Sequence, residues 1–171
     1  MEKKYRLTEE TIEFLGRTLH RIEACRDFGT VKKGDKGGYI EKESNLSQYD
    51  NAWVYGNAKV SDNAKVYGDA TVSDNAKVSD NAKVGGDAKV YGDAKVSGNA
   101  DFIVFKNWWS SGRYFTWTRS NNKWRVGCFY GTGEELIKKA YADSEKSGRE
   151  YERVVRYVEA ILADGQNQDI S

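Results

Sequence analysis

From Asn51 the chain reads NAWVYG, NAKVSD, NAKVYG, DATVSD, NAKVSD, NAKVGG, DAKVYG, DAKVSG, NADFIV, which is nine consecutive hexads without an insertion, closing at Val104. No other feature restricts the fold as much. The second position is Ala throughout, the fourth is Val from Val54 to Val96 and then Phe102, and the first is always Asn or Asp. Ala and Val stand two residues apart, so in extended backbone both point to one side and the Lys between them to the other. The Ser, Tyr, Gly and Asp residues that follow suit a corner. A period of six does not keep one face of a 3.6-residue turn inward, and Gly and Asn at every corner oppose a helix as well. One hexad is therefore a very short strand and a corner. It cannot bury its Val alone, so coils must stack.

The run Val-x-x-Asn/Asp-Ala-Lys is similar to the hexapeptide repeat of left-handed parallel β-helices. That similarity implies a triangular prism of three hexads per coil, roughly 18 residues, and so about three coils here. Asn45-Leu46-Ser47-Gln48-Tyr49-Asp50 reads as a decayed preceding hexad, and Gly37-Gly38-Tyr39-Ile40 as an earlier one set off by a two-residue insertion. On this period Lys59, Lys77 and Lys95 form a column with a spacing of about 4.8 Å, with Ser61, Ser79 and Ser97 beside it. Trp53, Thr71 and Lys89 share a second face, as do Tyr55, Ser73 and Tyr91, and Tyr67, Gly85 and Ile103 mark the third. The Lys column is a solvated surface that protects strand edges, or a ladder for a ligand.

Both ends of an open solenoid need covers. The flanks supply them, which divides the chain into a cap (1–44), a solenoid (45–104) and a C-terminal module (105–171). Thr8 to Leu15 reads as a short helix with Thr8 as N-cap, stopped by Gly16, and Arg17 to Asp27 as a strand, giving an α/β cap. Asp101 to Lys106 continues as a strand. Arg113–Arg119 and Lys123–Tyr130 read as a β-hairpin turning at Ser120-Asn121-Asn122. Thr132-x-x-Glu135 and Ser147-x-x-Glu150 are capping boxes for two helices, the second ending near Asp164-Gly165 and leaving Gln166 to Ser171 as a frayed tail. The fold class is thus mainly β.

Composition narrows the chemistry. Lys plus Arg is 27 against 26 for Asp plus Glu, so the chain neither coats nor mimics nucleic acid by bulk charge. No apolar run is long enough for a membrane span or an export signal. Cys25 and Cys128 make no disulfide framework and fit a reducing cytoplasm; Cys128 reads as a small buried strand residue. The fold suggested by the repeat hosts acyltransferases and carbonic anhydrases, whose chemistry relies on histidine, but fold does not give function. Here the one histidine, His20, lies outside the repeat. A zinc site or a nucleophilic triad therefore lacks its ligands or its base, and no catalytic residue, cofactor or metal is expected. The Asp62 and Asp80 column reads as corner hydrogen bonding rather than a Ca²⁺ site, and Gly131-Thr132-Gly133 as simple capping rather than a phosphate cradle.

The concentrated signal lies in residues 102–133. Lys106, Arg113, Arg119, Lys123 and Arg125 give +5 with no acid, interleaved with Trp108, Trp109, Tyr114, Trp117 and Trp124, while residues 134–171 carry nine acids against six bases. Such a mixture makes protein hot spots or tracks a phosphate backbone. Alternatively, the aromatics are the core of the module and the acidic helices neutralise the arginines.

The order Arg17-Thr18-Leu19-His20-Arg21-Ile22, Arg26-Asp27-Phe28-Gly29, Lys33-Gly34-Asp35-Lys36-Gly37-Gly38-Tyr39-Ile40, Asn45-Leu46-Ser47 and Trp53-Val54-Tyr55-Gly56-Asn57-Ala58, closing on Gly127-Cys128-Phe129-Tyr130-Gly131-Thr132, resembles a family of small hexapeptide-repeat proteins of phages and prophages of Gram-positive bacteria. That resemblance implies a phage accessory protein in the bacterial cytoplasm and brings no established activity. The expectation is a non-enzymatic inhibitor that docks on a host defence protein, an RNA-guided nuclease of the CRISPR type. Its partner-binding residues are Trp108, Trp109, Arg113, Tyr114, Trp117, Arg119, Lys123, Trp124 and Arg125, with Lys59, Lys77 and Lys95 as a secondary surface. The alternatives are a structural or oligomerising phage protein, and a nucleic-acid-binding module.

Overall fold

A two-residue strand is stable only inside a stack, and the computed structural model, which describes the backbone of residues 2–168 and the side chains of residues 2–165, stacks eight of them. They are β4 (Trp53–Val54), β5 (Lys59–Val60), β6 (Lys65–Val66), β7 (Thr71–Val72), β8 (Lys77–Val78), β9 (Lys83–Val84), β10 (Lys89–Val90) and β11 (Lys95–Val96). Before them come β1 (Tyr5–Phe14), β2 (Arg17–Ala24) and β3 (Lys36–Ile40). After them come β12 (Phe102–Lys106), β13 (Tyr114–Thr118), β14 (Lys123–Val126), β15 (Phe129–Gly131), α1 (Gly133–Asp143) and α2 (Glu145–Gln168). Parallel partners are 18 residues apart: Lys59, Lys77 and Lys95 in one column, Trp53, Thr71 and Lys89 in the next, Lys65 and Lys83 in the third. The product is a three-faced parallel β-solenoid of about three turns. The Ala and Val of each rung fill it and are buried throughout.

Two irregularities bound the repeat. In the first coil Ile40 pairs with Val60 and Leu46 bridges Val66, each 20 residues on. The two extra residues therefore follow Leu46, in the corner that exposes Tyr49, and Leu46 takes the Val position of its rung. The sequence spacing had put the insertion before Asn45. At the other end the ninth hexad is not a rung. Its Phe102 and Ile103 pair antiparallel with Thr118 and Trp117, so Ile103 leaves the third column.

The sixth position of each hexad explains the corners. Gly56, Asp62, Gly68, Asp74, Asp80, Gly86 and Gly92 all have positive φ, between 54° and 72°. Gly meets that demand without a Cβ, and Asp is among the few other residues that tolerate it. The Asp side chains are then used between coils. Asp62 Oδ2 accepts from the Asp80 N–H at 3.2 Å, Asp74 Oδ2 from Gly92 at 3.0 Å, and Asp50 Oδ2 from Gly68 at 2.6 Å. Corner hydrogen bonding thus occupies the Asp62–Asp80 column, and among the described residues no group of three or more metal-ligating side chains occurs.

Rung N–H groups point one way, each donating to the coil after it, as Trp53 does to Ala70 and Thr71 to Ala88. The first coil therefore presents carbonyls and the last presents N–H groups, and the caps match this polarity. At the start, Lys4 Nζ donates to the carbonyls of Ala52 and Asp50 at 2.8 and 3.1 Å, and Asn45 Nδ2 to Ala64 and Asp62 at 2.9 and 3.2 Å. At the finish, Thr116 Oγ1 accepts from Lys89, Ser120 Oγ from Lys95, and Asp101 Oδ2 from Ser97 and Gly98.

The cap is built on strands, with one 3-10 turn at Glu43–Asn45 leading into the solenoid, which corrects the expected helix at 8–15. β1 and β2 form an antiparallel hairpin turning at Leu15-Gly16, and β2 continues antiparallel onto β3, so the sheet runs β1-β2-β3-β5-β8-β11. Gly38 shows how closely this cap approaches the first coil. A Cβ there would lie 2.6 Å from the Ala58 carbonyl oxygen and 2.7 Å from a Val54 methyl. Gly38→Ala should therefore destabilise the protein by about 1–3 kcal/mol, through overpacking against backbone. A urea midpoint unchanged from wild type would contradict that contact.

The C-terminal module is a four-stranded antiparallel sheet, β12-β13-β14-β15, carrying two helices, rather than a single hairpin. The expected strand Lys123–Tyr130 is broken by a turn at Gly127-Cys128, and Cys128 is exposed, not buried. Both faces of the sheet are covered. Phe102 and Val104 pack on the solenoid core. Ile103, Phe105, Phe115, Trp117 and Trp124 face the opposite way, into a cluster with Leu136, Tyr151, Val155 and Val158 of the helices. Thr132 caps α1, its Oγ1 accepting from Glu135 and the Glu135 carboxylate accepting back from Thr132, as the capping box requires. Near the start of α2 the expected cap residue Ser147 is instead inside the helix, where its N–H donates to Ser144 Oγ. The helix passes Gly165 and runs to Gln168, so residues 166–168 are helical rather than frayed; residues 169–171 of the expected tail lie outside the described residues.

Candidate partner-binding site

The nine residues singled out from the sequence do not form one patch. Trp109, Trp117 and Trp124 are buried. Trp117 and Trp124 face each other across β13 and β14, and Trp109 sets its ring edge-on to Tyr151 at 4.8 Å and donates from Nε1 to Ser147 Oγ. They are the core of the module, which corrects their placement at an interface. The parity of β13 explains this: Phe115 and Trp117 point to the helices, while Thr116 and Thr118 point to the solenoid.

The bases separate as well. Arg125 stacks on the Tyr91 ring with its guanidinium carbon 4.4 Å from the ring centroid, in the seam between sheet and solenoid. Arg119 donates from Nε to the Ala100 carbonyl, and with Lys123 it stands at the hairpin end of β13. Lys106, Arg113 and Tyr114 stand at the other end, four residues away along the strand, or about 13 Å. Lys106 pairs with Tyr114 in register and lies 5.7 Å from its ring.

The acidic helices form no ion pairs with these bases, although the Glu135 pKa is lowered by the bond from the Thr132 N–H and, to a smaller degree, by the Lys123 charge. Arg149, Arg153 and Arg156 consume helix acids, Arg156 alone reaching Glu134, Glu152 and Glu159. Among the described residues, none of Lys106, Arg113, Arg119, Lys123 and Arg125 has an acid within 4.0 Å.

What remains exposed is a rigid loop, residues 107–113. Asn107 is buried and braces it: Oδ1 accepts from the N–H and hydroxyl of Ser110, Nδ2 donates to the Tyr151 hydroxyl, and its backbone bonds Arg113 and Gly112. Trp109 anchors the loop inward. Trp108, edge-on to Trp109, is left 69% exposed. A large aromatic held out on a braced backbone is the arrangement of an interface hot spot. Asn107 was missed in the sequence; its signal is Asn followed three residues later by Ser, the spacing at which an Asn oxygen caps a backbone N–H.

The lysine column exists as spaced. The β1–β2 hairpin tip lies over part of it, with Lys59 and Lys77 ammoniums 5.6 and 5.5 Å from the Phe14 ring centroid. Burial, and then the Lys77 charge, lower the Lys59 pKa. Lys95 borders a groove of about 240 Å³ with Phe14, Leu15, Ser79 and Ser97. His20 sits half-buried on β2, Nδ1 3.2 Å from the Thr8 carbonyl oxygen. Among the described residues no helix is long and apolar enough to cross a membrane. No protein-family model matches this chain, and no curated protein matches it.

Proposed function

We propose that this chain is a non-enzymatic binding protein, a phage accessory factor that acts in the cytoplasm of a bacterial host and blocks a defence nuclease of the RNA-guided type by docking on it. The observation that carries the binding reading is Trp108, exposed on a loop whose every other strong contact points inward. The solenoid is the post that holds this loop. Both solenoid ends are hydrogen-bonded by caps, which argues against an end-to-end phage filament. The partner class rests on the resemblance of the sequence to phage hexapeptide-repeat proteins.

The test is affinity capture from a bacterial lysate with tagged wild-type protein and Trp108→Ala, followed by DNA cleavage by the captured nuclease. Because Trp108 is mostly solvated, its truncation should leave the fold intact. Captured nuclease should fall at least tenfold and inhibition should be lost. Equal recovery by the two proteins would reject the loop, and undiminished cleavage in the presence of excess wild-type protein would reject inhibition. Direct nucleic-acid binding is the second reading, favoured by five bases that, among the described residues, form no ion pair. It requires an apparent affinity for DNA or RNA that falls steeply with added salt.

A further inference from the structure

The chain has ten arginines, and nine guanidiniums are engaged. Arg6, Arg17, Arg21, Arg149, Arg153 and Arg156 pair with acids, Arg26 and Arg119 donate to carbonyls, and Arg125 stacks on Tyr91. Arg113 differs. Its backbone bonds Ser111 and Asn107, but among the described residues its guanidinium has no hydrogen bond, ion pair or aromatic ring. A free guanidinium offers five donors in a planar fork that fits a carboxylate.

Arg113 also stands where two clefts meet. One, of about 280 Å³, has an apolar floor of Val126, Phe129, Leu136 and Ala140. The other, of about 340 Å³, reaches the solenoid at Asp87 and Lys89 and includes Tyr114. The two clefts share Arg113 and Gly127, which stand between them, the first cleft on the helix side of the sheet and the second on the solenoid side. The Arg113 guanidinium lies against Gly127, which turns the chain at φ +56° and where a Cβ would stand 3.3 Å from Arg113 Nη1. In the first cleft Asp143 faces Lys139 at 4.0 Å, so Arg113 and Lys139 are two bases against one acid there. That cleft, with Arg113 at its rim above an apolar floor, is the groove that can hold both a carboxylate and an aliphatic group.

We infer that this groove takes an extended peptide segment of the partner that carries a carboxylate beside an aliphatic side chain, the carboxylate on Arg113 and the aliphatic group over Phe129 and Leu136. The inference rests on the binding function proposed above and names its chemistry. The same braced loop carries both elements: Ser111 and Arg113 of the cleft belong to the loop that presents Trp108. A phosphodiester backbone fits less well, because it has nothing to place on the apolar floor.

The test titrates the isotope-labelled full chain with acetyl-Asp-Leu-amide, acetyl-Asn-Leu-amide and inorganic phosphate, followed by NMR. The Asp peptide should shift the amides of Ser111, Gly127 and Cys128 and the Arg113 Nε–H saturably. The Asn peptide and phosphate should each bind at least fivefold more weakly. Arg113→Leu, and Cys128→Trp at the exposed rim, should each remove the shifts while circular dichroism stays unchanged. Equal binding of the Asn peptide, shifts elsewhere, or phosphate binding as tightly as the Asp peptide would overturn the inference. The two proposals fail separately. If Trp108→Ala abolishes nuclease capture and Arg113→Leu does not, the groove assignment falls and the binding function stands. If the peptide binds the groove and wild-type protein inhibits no nuclease, the reverse holds.

Discussion

Val66→Asp is expected to leave no soluble folded protein, whereas Lys65→Asp, one residue earlier, is expected to fold with a urea midpoint close to wild type. Val66 is buried between Leu46 in the coil before it and Val84 in the coil after it. Replacing it forfeits about 2 kcal/mol of apolar burial. It also puts a carboxylate among Ala and Val methyl groups, at an effective cost of several kcal/mol more. Folded domains typically hold about 5–15 kcal/mol in reserve. In a solenoid the loss spreads, because the apolar side chains of each coil are buried mainly by the coils on either side. Lys65 is on the same two-residue strand but points to water and, among the described residues, has no acid partner within 4.0 Å. Its replacement should stay within about 0.5 kcal/mol. Soluble, cooperatively melting Val66→Asp would mean that the rungs do not share one core.

The same alternation decides what could be read from the sequence. The hexad is a local code with a fixed period, so one correct assignment of Ala and Val to the interior orders every rung from Trp53 to Val96. No such code governs β1. Its pairing with β2 slips between Leu7 and Thr11, and this irregularity breaks the period of two that marks a strand. Without that period, Thr8 and the two glutamates after it imitate a helix start, and the Leu15-Gly16 hairpin turn imitates a helix stop. The edge that recruits the segment is β2 and behind it β3, which local propensity does not reveal.

At the candidate site, composition marked the right stretch and could not sort it. Trp108 and Trp109 are adjacent and chemically identical, and one is core while the other is surface. The difference lies in Tyr151 and Ser147, about 40 positions away in sequence, which take the edge and the N–H of Trp109. Charge behaved likewise. Nine acids follow the basic window, yet the acids nearest the helix arginines are spent on them, and the five bases are left over. A net charge near zero therefore conceals a segregated surface, and the electrostatic character of the loop end of the sheet comes from pairing, not from counting.

Stability should rise with pH between about pH 8 and pH 9.5, and Lys4 is the reason. The Lys4 side chain is 0% exposed, and burial, opposed by Asp50 at 3.5 Å, brings its pKa down from 10.5 to about 8. Above the folded value and below the unfolded one, the unfolded chain binds more protons than the folded chain, so raising the pH favours folding. The full penalty for keeping the buried ammonium is about 3 kcal/mol at neutral pH, and about 2 kcal/mol of it is relieved by pH 9.5. Tyr5 has the opposite sign. Burial raises its pKa, with hydroxyl contacts of 2.8 and 2.7 Å to the Glu43 and Leu46 carbonyls, so the unfolded chain ionises first and stability falls above pH 10. Urea midpoints followed by circular dichroism should therefore climb from pH 7 to a maximum near pH 9.5–10 and then drop. Lys4→Met keeps an apolar stem and removes the main titrating group, so its profile should lose most of the rise and keep only the smaller contribution of Lys59, whose pKa is also lowered. A flat wild-type profile, or a rise in Lys4→Met as large as in wild type, would show that the ammonium does not close the carbonyl end of the solenoid.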